Sequence, residues 1–461
     1  MGRLSVHCVV LAILCALTSE YASNADTNMS NCSQNDLQAL TDFKNGLKDP
    51  RNRLSSWQGS NCCQWQGISC DNSTGAVVTI DLRSPYLMAF DTSSRYASWN
   101  LSGELRSSLI KLKSLQYLDL SSNTFNDILI PEFLGSLENL RYLNLSKSGF
   151  SGAVPSSLGK LSRLQYLDVS TELFGLSADS LEWVTGLVSL KYLAMNSVDL
   201  SLVGTKWSGV LNKLPNLTEL HLQSCGLTGP IPLIKPVNLT SLAVLDLSFN
   251  DFNSKFPDWL INSSTLVHVD LSNCKLHGRI PLGFNELPNL QYLNLALNNN
   301  LSASCSQLLH GSWKKIQFLN FASNKLHGKL PSSVGTLPEF LDVIDGCVSD
   351  SPLPSLMYLR LSNNHLRGKL PEWLGQANLT KTPSNLVFDA AKLENSEYLV
   401  ELTSCYPDLV YELDENGNNI FYIAVLHHHA NIFNPLYDIG LTMEVVASGP
   451  LKILSAIICC I

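Results

Sequence analysis

Leucines recur along the chain in one short pattern of alternating hydrophobic and polar positions. The pattern reads L-x-x-L-x-L, then two mostly polar positions and, in its regular copies, asparagine, as in Leu115–Asn123, Leu242–Asn250 and Leu356–Asn364. Its first position returns every 24 to 27 residues up to Ile316, and once more after 40 residues. Such alternation predicts a short strand whose leucines lie on one side and whose polar positions lie on the other.

A single copy of this unit cannot fold by itself. Its roughly five buried aliphatic side chains contribute about 1.5–3 kcal/mol each, whereas ordering its backbone costs about 1–2 kcal/mol per residue. Neighbouring units must therefore cover one another's leucines and pair their strands. Repeats of this length and spacing are leucine-rich repeats. We expect an α/β repeat fold, a leucine-rich-repeat solenoid curved into a superhelix with a concave parallel β-sheet.

The solenoid is predicted to cover residues 76–379. A first strand at Val77–Leu82 precedes the repeats that begin at Leu115, which gives about 11 repeats in total. An insertion around Tyr86–Trp99 separates the two, and the sequence does not indicate its role.

The side chain at the ninth position of the pattern is predicted to bind the backbone where the chain turns out of the sheet. An inward-facing amide there satisfies buried backbone groups. Cys225 and Cys274 occupy this position, and we interpret them as small buried thiols that replace asparagine. Ser148, Glu172 and Val198 break the pattern, which predicts irregular repeats at these points. The regular asparagines are Asn123, Asn250, Asn298, Asn324 and Asn364.

A second phrase, L-x-G-x-[IL]-P, follows the first in several repeats. Its glycine permits a tight turn, and its proline stiffens the segment that follows. The phrase resembles the plant subclass of leucine-rich repeats, and this resemblance implies a second small strand and a superhelical twist. Its copies are Leu227–Pro232, Leu276–Pro281, Leu326–Pro331 and Leu366–Pro371.

The first 25 residues predict export from the cell. They combine Arg3, an apolar run at 6–18 and the small-residue segment Ser23–Ala25, as a secretory signal peptide does. An N-terminal membrane anchor is the alternative, but the run is shorter than the ~20 residues needed to span a bilayer.

Residues 26–75 are expected to form a polar cap on the solenoid. Ser33 and Asp36 have the spacing of a capping box, and Leu37, Leu40 and Phe43 follow at helical spacing. The four cysteines of the cap predict disulfides in a secreted chain, and four cysteines allow three pairings. A zinc site would use the same residues but lacks the paired C-x-x-C spacing. They are Cys32, Cys62, Cys63 and Cys70.

Composition and motifs narrow the function classes. The chain has 461 residues, 15% of them charged, and a formal net charge of −8, which disfavours nucleic acid as a partner. Glu219, His221 and His268 fall on nearby predicted strands, but no nucleophile, oxyanion donor or third metal ligand accompanies them. Kinase motifs are missing from the sequence. We therefore expect no enzyme, no cofactor and no metal site, and we assign no role to His427–His429.

Candidate recognition residues lie on the predicted concave face, at the third and fifth positions of successive strands. Tyrosine at the third position offers a large contact area and a hydroxyl, as protein-binding surfaces do, although tyrosines so spaced also stack on one another. The fifth position is mildly acidic and suits a basic peptide or protein ligand. The candidates are Tyr117, Asp119, Tyr142, Tyr166, Asp168, Tyr192, Glu219, His221, Asp246, His268, Asp270, Tyr292, Phe318, Tyr358 and Arg360.

Sequons for N-glycosylation are frequent, as expected for an extracellular surface. A glycan on Asn144, at the fifth position of its strand, would keep ligands off that part of the concave face. The predicted sites are Asn28, Asn31, Asn72, Asn100, Asn144, Asn216, Asn238, Asn262, Asn300 and Asn378.

Three segments carry a resemblance to a known family: Cys32 to Cys70 with Trp57 between them, Gly311–Lys315, and Ser351–Asn364. With them, residues 32–379 resemble the ectodomain of plant leucine-rich-repeat receptor-like proteins, notably the group that contains the receptors for fungal ethylene-inducing xylanase. The resemblance implies the pairings Cys32–Cys62 and Cys63–Cys70. It also implies a cell-surface receptor in defence or development that lacks a kinase, binds an extracellular ligand and signals through a co-receptor kinase.

Two features depart from that family. Pro331–Leu341 joins the end of one repeat to what resembles the end of the next, as a partial deletion near 332–355 would. Residues 380–461 contain no recognisable C-terminal cap or spanning helix, and the apolar run Leu451–Ile461 is about half the required length.

These departures leave three hypotheses. We expect a truncated receptor-like protein at the plasma-membrane exterior, or in the apoplast if the chain is complete. The alternatives are a secreted inhibitor of microbial cell-wall-degrading enzymes and a nonfunctional fragment whose uncapped leucines aggregate.

Overall fold

The computed structural model describes residues 31–84, 99–125, 128–171, 175–231, 240–308, 313–328, 358–361 and 363–366, together with 420 and 423. The predicted signal peptide, the partial deletion and nearly all of residues 380–461 lie outside the described residues. So do Glu172 and His427–His429.

Helices in the described residues are short, as repeats of about two dozen residues require. The α-helices are α1 (Gln34–Gly46), α2 (Trp207–Leu211) and α3 (Cys305–Leu308). Each described helix is too short or too polar to traverse a lipid bilayer. The 3₁₀ helices are Arg53–Ser56, Cys62–Gln64, Ser107–Lys111, Glu132–Ser136, Ser156–Lys160, Glu182–Gly186, Ser201–Lys206, Asp258–Asn262 and Leu282–Glu286.

The strands are mostly three residues long. In chain order the described residues contain β1 (Leu47–Lys48), β2 (Ile68–Cys70), β3 (Val77–Asp81), β4 (Ser102–Gly103), β5 (Tyr117–Asp119), β6 (Tyr142–Asn144), β7 (Gly152–Ala153), β8 (Tyr166–Asp168), β9 (Leu176–Ser177), β10 (Tyr192–Ala194), β11 (Glu219–His221), β12 (Val244–Asp246), β13 (His268–Asp270), β14 (His277–Arg279), β15 (Tyr292–Asn294), β16 (Asn300–Ser304), β17 (Phe318–Asn320), β18 (Lys325–Gly328), β19 (Tyr358–Arg360) and β20 (His365–Leu366).

The predicted concave sheet is confirmed as one twelve-stranded sheet, in the order β2-β3-β5-β6-β8-β10-β11-β12-β13-β15-β17-β19. All of its pairings are parallel except that of β2 with β3. Residues at the same position of the pattern are direct partners, for example Tyr117 with Tyr142 and Asp119 with Asn144. The leucines between them, such as Leu118 and Leu143, are fully buried. Third and fifth positions therefore share the face opposite the core.

The ninth-position prediction is confirmed at atomic detail. The Asn250 amide nitrogen donates to the carbonyls of Leu222, Leu247 and Ser248 at 2.8, 2.9 and 3.2 Å. Its carbonyl oxygen accepts the backbone N–H groups of Cys225 and Leu227. Each such asparagine thus joins its own turn to the preceding repeat.

Smaller side chains fill the same position in other repeats. The buried Cys225 thiol donates to the Met195 carbonyl, and the Cys274 thiol donates to the Leu247 carbonyl, both at 3.1 Å. The irregularity predicted at Ser148 is wrong, because its hydroxyl donates to the Leu120 carbonyl at 2.7 Å and takes the place of the amide. Val198 is buried there without a polar side-chain group.

Three copies of the L-x-G-x-[IL]-P phrase contribute to the second small strands that were expected, in β14, β18 and β20, and the copy at Leu227–Pro232 forms an isolated bridge from Thr228 to Asp251. Strands β14, β16, β18 and β20 make one parallel sheet beside the main one, and β7 pairs with β9. Gly278 and Gly328 have φ of +89° and +102°, in the region that side chains other than glycine rarely adopt.

The N-terminal cap contains both disulfides that the family resemblance implied, Cys32–Cys62 and Cys63–Cys70. The expected capping box is wrong, because the Ser33 side chain caps nothing. Asp36 is buried instead, and its carboxylate accepts the Val77 N–H at 2.8 Å. This bond ties α1 to the start of β3.

Arg53 forms a second tie between the cap and the solenoid. Its guanidinium donates to the carbonyls of Leu82, Arg83 and Trp99 at 3.2, 2.8 and 3.1 Å. It also donates to the Asn123 side-chain oxygen at 3.0 Å. Burial lowers the pKa of Arg53 below its usual value, and nearby Asp49 and Asp81 partly oppose that shift.

Candidate functional site

Aromatic rings on the concave face form two stacked columns. In the first, Tyr117, Tyr142, Tyr166 and Tyr192 stack with ring centroids 4.2, 4.2 and 4.1 Å apart and planes within 12°. In the second, His268, Tyr292 and Phe318 stack at 3.9 and 4.2 Å. Parallel strands hold equivalent positions about 4.8 Å apart, which is close enough for aromatic rings on adjacent strands to stack face to face. Inner rings of each column are therefore covered on both faces and present only their edges to solvent.

Several of the predicted contact groups are already used within the protein. The hydroxyls of Tyr117 and Tyr142 both lie 3.3 Å from one oxygen of Asp119, whose side chain is 1% exposed. Tyr292 makes the same contact with Asp270. Burial raises the pKa of the Asp119 carboxyl above its usual value, although Arg83 and Ser121 offset part of the shift.

Fifth-position carboxylates and amides also stabilise the turn that follows each strand. Oδ1 of Asp246 accepts the N–H and the hydroxyl of Ser248 at 2.9 and 2.7 Å. Asp270 and Asn144 bind Ser272 and Ser146 in the same way. One oxygen of each group therefore has a structural role and the other atom lies on the concave face.

Sequence reasoning missed a cation on this face. Arg83 donates two hydrogen bonds to Asp81 at 2.9 and 2.6 Å, and a third to the Tyr117 hydroxyl at 3.1 Å. It also lies 3.9 Å from Asp119. Its guanidinium thus neutralises two carboxylates at the end of the first column. Extending the repeat to β3 would have placed Asp81 at the fifth position and revealed this site.

Between the two columns the aromatic sequence is interrupted. Glu219 and Val244 occupy the third position of β11 and β12, between Tyr192 and His268. The Glu219 carboxylate is 3.5 Å from the His221 Nε2, and the His221 ring contacts Tyr192 with ring centroids 5.2 Å apart.

Burial shifts the pKa values of two neighbouring residues. Burial, reinforced by the Asp246 carboxylate, raises the pKa of Asp270 to about 6. Burial, with His221 nearby, lowers the pKa of His268 to about 3, so this ring is neutral at physiological pH.

Asp168, Tyr358 and Arg360 are the remaining candidates. Asp168, in β8, accepts the Ser170 N–H at 2.9 Å, and burial raises its pKa above the usual value. For Tyr358 and Arg360 the structure describes only the backbone, which pairs with β17.

The buried thiols of Cys225 and Cys274 are not reactive, because burial raises the pKa of Cys225 to about 12 and that of Cys274 further.

Exposure separates the predicted glycosylation sites. Asn144 is half-buried, and its Nδ2 makes only long contacts, 3.4 and 3.5 Å, with Tyr142 and Asp119. Asn28, Asn238 and Asn378 lie outside the described residues. The exposed sites are Asn31, Asn72, Asn216, Asn262 and Asn300.

The prediction for Asn100 conflicts with its environment. This side chain is 3% exposed, its Nδ2 donates to Thr124 at 2.8 Å, and its Oδ1 accepts from Ser84 at 2.8 Å. A glycan on Nδ2 would remove one of these bonds and has no path to solvent.

We expect Asn100 to carry no glycan in the secreted protein, whereas the exposed Asn216 and Asn262 carry one. Peptide mapping by mass spectrometry, before and after enzymatic deglycosylation in heavy-oxygen water, measures the occupancy of each site. Full occupancy at Asn100 would contradict the packing of the loop between β3 and β5.

Family models match the cap and several repeats. A leucine rich repeat N-terminal domain matches residues 33–71. Leucine Rich Repeat models match residues 114–137, 139–161, 213–231, 241–263, 265–287 and 355–377.

Two proteins from tomato, Solanum lycopersicum, are similar in sequence. Receptor-like protein EIX1 is 36% identical over 280 residues, which cover 59% of this chain and 27% of that protein. Receptor-like protein EIX2 is 34% identical over 331 residues, covering 70% of this chain and 31% of that protein. The chain thus spans less than a third of the length of these relatives.

Solved structures are similar in fold. A plant ice-binding protein matches 74% of this chain with a TM-score of 0.52 and 22% identity, and 90% of that protein is covered. A TDR receptor matches 67% of this chain, with 59% of that chain covered, a TM-score of 0.50 and 25% identity.

Proposed function

Because the chain belongs to the plant leucine-rich-repeat proteins that include the receptor-like proteins, we propose that it recognises an extracellular peptide or protein ligand at the plant cell surface. In this proposal the concave face binds the ligand, the ligand is a defence elicitor, and a separate kinase transmits the signal. The plasma-membrane exterior is the site of action.

One observation carries the proposal: the concave face presents two columns of tyrosine, histidine and phenylalanine edges on a rigid sheet. Stacking fixes these rings before a ligand arrives, so little rotamer entropy is lost on binding. Edges rimmed by hydroxyls and carboxylates suit a polar protein surface better than a small apolar molecule.

A purified fungal ethylene-inducing xylanase is the probe for this proposal, because EIX1 and EIX2 are among the sequence relatives. The full chain is secreted from plant cells, immobilised, and exposed to the enzyme in a biolayer binding assay. We expect binding that Tyr192→Ala weakens by at least about tenfold.

Trp183→Ala is the matched control, because Trp183 is a partly buried aromatic residue in a 3₁₀ helix outside the concave sheet. It should leave xylanase binding unchanged. Equal binding by Tyr192→Ala and the wild type would refute recognition by the concave face, and no binding would refute a xylanase ligand. Xylanase activity in the complex is measured as well, since stoichiometric loss of activity would indicate an inhibitor and not a receptor.

A further inference from the structure

The interruption between the two aromatic columns leaves room for one more planar group. Val244 stands at the third position between Glu219 and His268, in the row that carries rings on the flanking strands of both columns, and its side chain is shorter than a tyrosine ring. His268 stacks on Tyr292 with one ring face, so its other face is directed toward the position above Val244. We call this gap the notch, and it is formed by Glu219, His221, Val244, Asp246, His268 and Asp270.

Carboxylates surround the notch, and the described group that could balance one of them is His221, whose Nε2 lies 3.5 Å from Glu219 and which is charged only when protonated. Among the described residues, no lysine or arginine lies within ion-pair distance of Glu219, Asp246 or Asp270. The mutual repulsion of Asp246 and Asp270 helps to raise the pKa of Asp270 to about 6. A bound cation would relieve this repulsion.

Glu219 provides a second observation, because one of its carboxylate oxygens is not used by the described part of the protein. Its side chain is 4% exposed, and its only hydrogen-bond or ion-pair contact among the described residues is the 3.5 Å approach of Oε2 to His221. A buried carboxylate normally accepts several hydrogen bonds. Oε1 accepts none from the part of the chain that the structure describes.

The protein itself shows how a guanidinium fits this face. At the end of the first column, Arg83 binds Asp81 with two hydrogen bonds, the hydroxyl of Tyr117 with a third, and lies close to Asp119. The notch repeats this arrangement of fifth-position carboxylates beside an aromatic ring, but no arginine or lysine of the described residues is paired with them.

We propose that the notch binds the guanidinium group of an arginine side chain of the extracellular ligand. The inference rests on the proposed function and identifies the part of the ligand that this site reads. Arginine fits better than lysine because its planar group stacks on the neutral His268 ring while its donors reach Glu219 and Asp246. A metal ion does not fit, since in the described residues three ligand atoms converge only at the cap cysteines.

The test uses the full secreted chain and three tripeptides: acetyl-Gly-Arg-Gly-amide, its lysine analogue and its citrulline analogue. Citrulline has the shape of arginine without the charge. Saturation-transfer NMR at low salt should give the tightest binding for arginine, about threefold weaker binding for lysine and at least tenfold weaker binding for citrulline. Equal binding of arginine and citrulline would overturn the proposal.

Two variants locate the binding. Val244→Tyr adds the missing ring and fills the notch, and Glu219→Gln removes one charge at constant shape; each should weaken arginine-peptide binding at least tenfold. Glutamine at 219 is used because Asp246→Asn would create a sequon with Ser248. Asp251→Asn, an exposed acid outside the notch, is the control and should change nothing.

The variants keep the test decisive. If Val244→Tyr fails to fold, Glu219→Gln still reports on the notch, and undiminished binding by it overturns the proposal. If the tripeptide does not bind while xylanase binding remains sensitive to Tyr192→Ala, the arginine assignment fails and the proposed function stands. If the tripeptide binds but xylanase does not, the notch stands and the elicitor assignment fails.

Discussion

Replacing Asn250 by alanine is expected to lower the free energy of unfolding by about 3–5 kcal/mol, because each buried polar group left without a partner costs about 1–3 kcal/mol. The substitution removes three donated and two accepted hydrogen bonds from a side chain that is 4% exposed. The N–H groups of Cys225 and Leu227 and the carbonyl of Leu222 belong to the preceding repeat. The variant therefore weakens the contact between repeats as well as the turn itself.

Urea unfolding followed by circular dichroism measures this loss. Asn289→Ala is the control, since Asn289 makes solvent-exposed bonds to Ser264 and Lys315, and it should cost less than about 1 kcal/mol. Asn250→Ser should fall between the two, because Ser148 shows that a hydroxyl at this position still reaches the carbonyls of Leu120 and Ser146. A loss for Asn250→Ala no larger than that for Asn289→Ala would mean that the amide does not hold the repeats together.

Replacing Arg53 by methionine is expected to lower the free energy of unfolding by about 2–4 kcal/mol. A hydrogen bond to a charged group contributes about 1.5–3 kcal/mol, and the substitution removes every hydrogen bond of the guanidinium at once. Methionine keeps most of the apolar stem but removes all four hydrogen bonds from the guanidinium. The carbonyls of Leu82 and Arg83 and the Asn123 side chain are left without this donor. We therefore expect the cap to separate from the first repeat before the rest unfolds.

Hydrogen exchange distinguishes this local loss from global unfolding. Amides of α1 and β3 should exchange faster in Arg53→Met, while amides of β12 and β13 are unchanged. Arg106→Met is the matched control, because Arg106 makes an ion pair with Asp42 at 2.8 Å in which both side chains are more than one-third exposed. Such exposed pairs contribute at most about 1 kcal/mol. Similar exchange in the two variants would show that Arg53 does not couple the cap to the solenoid.

The solenoid architecture was predictable because it follows from the regular spacing of the leucines along the chain. Leucines that return every two dozen residues require stacking, and the same register placed the concave candidates on one face, as the pairing of Tyr192 with Glu219 and Tyr166 shows. The disulfide pairing came from family resemblance, since spacing left three choices.

The candidate site was predictable only as a set of positions. Sequence reasoning placed Asp119 on the concave surface, but it did not show that Tyr117, Tyr142, Ser121 and Arg83 already occupy its carboxylate. Nor did it separate Asn100, buried behind Thr124, from the exposed sequons. These outcomes depend on which side chains from neighbouring repeats meet, and each repeat contributes a different set.

The sequence by itself determined the repeat, the inward leucines, the asparagine turns and the face on which a ligand is expected, because each follows from alternation and period within one short segment. Only the tertiary structure decided that Arg53 joins the cap to the solenoid, that Arg83 neutralises one acidic cluster, and that no arginine or lysine of the described residues pairs with the carboxylates around Val244. The physical reason is distance along the chain: the guanidinium of Arg53 and the Asn123 oxygen are 70 residues apart in sequence and 3.0 Å apart in space.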